Sequence, residues 1–249
     1  MGSSLMIMRN VLILLAFTLL HPGLPTLWGQ AVEPAAPIAP AVVPAVAPSA
    51  GPVGVYPYLE MPVNTALDRY KINAGRILRD GVFEDEKQKT DFINYYRQYV
   101  LPRWTLRSEL ENLTDLREKL LRDLQSAQAG EVHDHLSDFL IWYFNKLIYR
   151  RIDSPGSMDF HPAVRYNAIL TLGYIHQDER ADVLKPYAPA TASLFSAFMK
   201  PELGDEVQIG VLIGLDHHAA LGGIEDLQKQ NAILDPLMKI VNAHEATGR

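Results

Sequence analysis

Val164, Ala168 and Leu172 recur at four-residue intervals, and the same spacing returns at Val207, Val211 and Leu215, each 43 residues further on. Four-residue spacing keeps one face of an α-helix apolar. Its return at a fixed offset is the strongest constraint in the chain. Two-helix units with a period of about 40–47 residues bury their apolar faces on one another in a row. Pro162 suits the first turn of the earlier helix. A longer apolar helix precedes each copy, over 132–150 for the first and 188–199 for the second. In 132–150, Leu136, Phe139, Leu140, Tyr143 and Leu147 mark the inward stripe. Trp142, Phe144 and Ile148 widen it, so this helix is expected to be heavily buried.

These copies resemble the HEAT-repeat family. Val164-Arg165, Ala168 and Leu172-Gly173 carry its second-helix pattern, and Val207, Gly210 and Leu215 keep part of it, with Gln208 where Arg is usual. The family's Asp, three residues before the Val, is His161 in one copy and Gly204 in the other. The Asp–Arg ladder between repeats is therefore not expected in its usual form. The resemblance implies an all-α fold: a right-handed α-solenoid of helix pairs over 131–249, and a protein-binding role. A possible third unit opens near Ile224, and residues 63–130 would form an N-terminal helical cap. Exposed positions beside the buried stripe would meet the partner, and Arg165, Tyr166 and Gln208 are the candidates.

The cap region reads as three helices, over 64–79, 85–100 and 103–129. Asp80-Gly81 ends the first, Pro102 breaks the second, and Gly130 stops the third. Leucines at 106, 110, 113, 116, 120, 121 and 124 line one face of the third. Tyr95, Tyr96, Tyr99 and Trp104 cluster around the Pro102 break and are assigned to the core.

Residues 1–31 have the order of a secretory signal: one cation at Arg9, an apolar run from Val11 to Leu20, then helix breakers and Gly29-Gln30-Ala31 before a cut. The run is too short to span a bilayer, which takes about 20 residues. The chain is thus expected in an exported compartment (periplasmic, envelope or secreted) with no transmembrane span after cleavage. Residues 32–62 carry prolines at 34, 37, 40, 44, 48, 52, 57 and 62, which rules out a helix or a sheet and gives an extended spacer. No cation flanks these prolines, which argues against a Pro-rich docking ligand.

Composition narrows the chemistry. The 249 residues contain no cysteine, which excludes disulfides, thiolate metal sites and a Cys nucleophile. The net charge of −6, without a block of like charges, excludes a basic nucleic-acid binder. No phosphate loop, nucleophile elbow or H-E-x-x-H helix is present, and no cofactor is implied. Two His-rich segments support an alternative, a metal-dependent phosphohydrolase. Asp216-His217-His218 resembles the DHH phosphoesterase signature, and His133-Asp134-His135 resembles the HD dyad. Both sit at helix ends, where an acid near the start or a His near the finish also favours the helix dipole. The leading expectation is a non-catalytic protein-interaction scaffold.

Overall fold

The computed structural model describes residues 56–127, 129–154, 156–224 and 231. The signal, most of the spacer and nearly all of the possible third unit lie outside the described residues.

The described chain is all-α. Seven α-helices follow one another: α1 Lys71–Asp80, α2 Glu86–Tyr95, α3 Leu113–Ser126, α4 Glu131–Asp153, α5 Pro162–Leu172, α6 Ala188–Phe198 and α7 Asp205–Ala220. Among the described residues there is no strand, only an isolated bridge between His176 and Pro186. No helix among them is long and apolar enough to cross a membrane.

Local chemistry sets several of the ends. Gly81 closes α1 at φ 71°, a left-handed conformation that costs a glycine little. Asp85 caps α2 by accepting from the Gln88 N–H at 2.6 Å, while the Gln88 side chain accepts from the Glu84 N–H at 2.8 Å. His161 caps α5 through Nδ1, 3.1 Å from the Ala163 N–H, with Pro162 at the first helical position.

The expected helix over 103–129 is interrupted. Two 3-10 turns, Pro102–Thr105 and Arg107–Asn112, precede α3, with Leu106 extended between them. Tertiary anchors cause the break. Trp104 is fully buried and its ring lies 5.1 Å from that of Phe144. Thr105 Oγ1 accepts from the Met61 N–H at 2.7 Å and donates to the Pro102 carbonyl. Arg103 pairs with Glu109 at 2.6 Å. Likewise, a π-helical turn Tyr96–Val100 finishes the second expected helix. Tyr95, Tyr96 and Trp104 do lie in the core.

The later helices follow the sequence pattern. Val164, Ala168, Leu172, Val207, Val211 and Leu215 are all fully buried, on α5 and α7, which pack against each other. Four contacts join partners a constant 41 residues apart: Arg165 to Glu206, Ile169 to Gly210, Gly173 to Gly214 and His176 to His217. A constant offset means that the two segments run in the same direction. Small residues allow the approach: a Cβ on Gly173 would stand 2.6 Å from the Gly214 Cα, and one on Gly210 would stand 2.2 Å from Ile169 Cγ2.

Candidate functional site

Of the three residues expected at a partner surface, Arg165 is buried and Tyr166 and Gln208 are half-buried. Arg165 is only 2% exposed. Its Nη1 reaches Asp159 Oδ2 at 3.2 Å and Glu206 Oε1 at 2.9 Å, and its Nη2 donates to the Leu203 carbonyl. The expectation of an exposed arginine fails because acids from both sides of the joint draw the guanidinium inward. Asp159 and Glu206 supply the carboxylates that the sequence motif lacks at His161 and Gly204. Gln208 is also committed inward, donating to the Ala197 and Lys200 carbonyls at 3.0 and 2.8 Å, where it closes the end of α6. Tyr166 is half-buried, with its ring close to Gly210.

The five His-rich candidates divide. His133 on α4 and His217 on α7 enter one polar network, joined by two residues from the loop after α5 that the sequence analysis did not single out. His176 Nδ1 hydrogen-bonds Glu179 Oε2, and His176 Nε2 lies 3.2 Å from His217 Nε2. Glu179 Oε1 accepts from the His176 backbone N–H at 2.9 Å and stands 3.9 Å from His133 Nε2, an ion-pair distance too long for a hydrogen bond. The His133 Nδ1 side faces Asp134 at 3.3 Å. The other three face elsewhere. His218 is fully buried, with Nδ1 2.9 Å from the Thr191 hydroxyl. His135 stands edge-on to Phe83 at 5.7 Å. Asp216 is half-buried.

Burial and charge set the protonation of this network. Burial raises the Glu179 carboxyl, but His133 and His176 outweigh it and hold the group down at about 2. Burial pushes His133 down, yet the Glu179 and Asp134 carboxylates reverse this and leave it raised. His217 is lowered by burial and then by His176, and His218 is driven to about 3 mainly by burial. With an ionised Glu179 holding a proton on His176 Nδ1, His217 Nε2 donates to His176 Nε2 when both rings are neutral. Glu179, His176 and His217 satisfy one another, while His133 Nε2 is buried with no hydrogen-bond partner. Among the described residues, no group of three or more His, Asp or Glu side chains is arranged to hold a metal ion.

The signal that could have found His176 is the contact offset, since it lies 41 residues before His217, as Arg165 lies before Glu206. Nothing local marks Glu179.

A second feature faces outward. Trp142, expected in the core, is 45% exposed. α4 packs on its neighbours along the Leu136–Leu140–Phe144 side, and Trp142 falls on the opposite side. It forms a shelf with Phe139, ring centroids 5.8 Å apart and tilted by 32°. The Arg97 guanidinium lies 5.6 Å from the Phe139 ring and 5.5 Å from the Trp142 ring, and Lys146 Nζ is 3.8 Å from the Trp142 ring. Cations this close to aromatic faces hold the rings in place. The shelf floors a groove of about 440 Å³ between α2 and α4, whose walls carry Ile93 and the charged side chains of Glu86, Lys89, Arg97 and Asp138.

Compared with family models, curated proteins and solved structures, the chain matches none.

Proposed function

We propose that this chain is a non-catalytic protein-interaction scaffold of an exported or envelope compartment, its helix pairs stacked as a right-handed HEAT-like α-solenoid. The carrying observation is the constant 41-residue offset of the four contacts from α5 to α7. Stacked repeats meet their neighbours in this way, each pair covering an apolar face that it cannot bury alone. The partner face moves from Arg165 and Gln208, which are spent on internal hydrogen bonds, to the Trp142 shelf. A large exposed aromatic with fixed orientation is the residue type that dominates protein contacts.

The test is capture from an exported proteome by the immobilised chain. A saturable, stoichiometric partner lost with Trp142→Ala is the expected result. Nothing above background would remove the proposal, as would turnover of a phosphoester that disappears in His217→Ala.

A further inference from the structure

We propose that the groove between α2 and α4 is the docking site for this chain's own proline-rich segment, residues 32–55, held there as a polyproline II strand. The inference stands on the groove and the segment and does not need the scaffold reading.

The chemistry of the two surfaces matches. Proline-rich strands are recognised by aromatic-lined grooves, because the strand is already extended and loses little entropy on docking. Trp142 and Phe139 provide such a floor. The segment VEPAAPIAPAVVPAVAPSAGPVGV offers Pro, Ala and Val with a single charge, Glu33. Pro34, Pro37 and Pro40 recur every three residues, one per polyproline turn, so they fall along one edge of the strand. The groove carries both signs, Lys89 and Arg97 against Glu86 and Asp138, so the match rests on its aromatic floor and not on charge.

The dimensions agree. From His135 to Trp142, α4 rises roughly 10 Å at 1.5 Å per residue. One polyproline turn advances about 9 Å, so a single Pro-x-x-Pro unit spans the shelf. The path starts at Tyr56, which packs on His161 and Arg107. Met61 Sδ accepts from the Tyr143 hydroxyl at 3.1 Å, and the Tyr143 ring is 6.0 Å from Phe139 and 6.4 Å from Trp142. Asn64 then donates its N–H to the Gln98 carbonyl, next to Arg97. The described chain therefore already skirts the shelf five residues after it begins at Tyr56. The 15 residues 41–55 between Pro40 and Tyr56 reach roughly 46 Å when extended as polyproline II.

The experiment uses the full chain carrying Trp28→Phe, which leaves Trp104 and Trp142. Trp104 is fully buried, so acrylamide quenching of the fluorescence reports on Trp142. Replacing Pro34, Pro37, Pro40, Pro44 and Pro48 by Ser is expected to raise the quenching constant about threefold. A synthetic peptide of residues 32–55 added to that variant is expected to lower it again. The same quenching constant with and without the five prolines would overturn the proposal. So would protection that fades on dilution, which would mean that the segment of a second copy occupies the groove. The segment and an exported partner would share this shelf, so the serine variant is expected to capture more partner than wild type, and the quenching readings decide the segment's place whether or not any exported protein is captured.

Discussion

The histidine network and the tryptophan shelf are opposite uses of α4. At its start, His133 points inward, where Glu179, His176 and His217 satisfy one another across a joint of three elements. Two and a half turns later Trp142 points outward, held by cations that leave much of its ring in water. The network looks chemically promising in sequence because it is rich in titratable groups. Those groups are engaged with one another, which is the behaviour of a structural clasp. The shelf looked like core in sequence and is surface in the fold. Under the proposed reading, the working surface is the shelf and not the cluster richest in titratable residues.

Substitutions should separate the two regions. Glu179→Ala would remove the carboxylate between two buried imidazoles and is expected to cost about 3 kcal/mol, as when one partner of a buried pair is deleted. Urea denaturation measures it, and a cost below 1 kcal/mol would show that the clasp is not structural. Gly173→Ala, at the same joint, would press a methyl group on the Gly214 backbone. About 2 kcal/mol is expected from overpacking, read from the shift in denaturation midpoint.

Acid should destabilise the fold through the clasp and through His218, buried beside it against Thr191. His218 titrates at about 3 in the folded chain against 6.5 when exposed. The unfolded chain thus takes up its proton first, and stability that is full above pH 6.5 drains between 6.5 and about 3. Glu179, at about 2 against 4.5, adds a further loss between pH 4.5 and 2. His133 is raised and works the other way, favouring the folded state below pH 6.5. The net expectation is a lower Tm at pH 4.5 than at pH 7, with a shallower fall in His218→Gln. The smallest effect belongs to the shelf: Trp142→Ala should change stability by no more than about 0.5 kcal/mol, while altering what the surface binds.

Periodicity made the later helices legible. Positions 164, 168, 172, 207, 211 and 215 depend only on helical spacing and on small residues where helices cross, and all six are buried. The earlier region was less legible. The break before α3 depends on Trp104 meeting Phe144 and on Thr105 meeting Met61, contacts between residues about 40 apart with no common period. The arginine was misread for a related reason. Helix phase places a side chain on a face, but it does not reveal that Asp159 and Glu206 converge on Arg165 from either side. Trp142 was misread because hydrophobicity alone does not show how far neighbouring helices extend over a long helix.

The most direct test of this contrast puts both regions into one assay. The wild-type chain, Glu179→Gln and Trp142→Ala are presented to an exported proteome at equal folded concentration, and the captured partner is quantified. Capture should persist in Glu179→Gln and fall at least tenfold in Trp142→Ala. Loss in Glu179→Gln with full retention in Trp142→Ala would contradict the account.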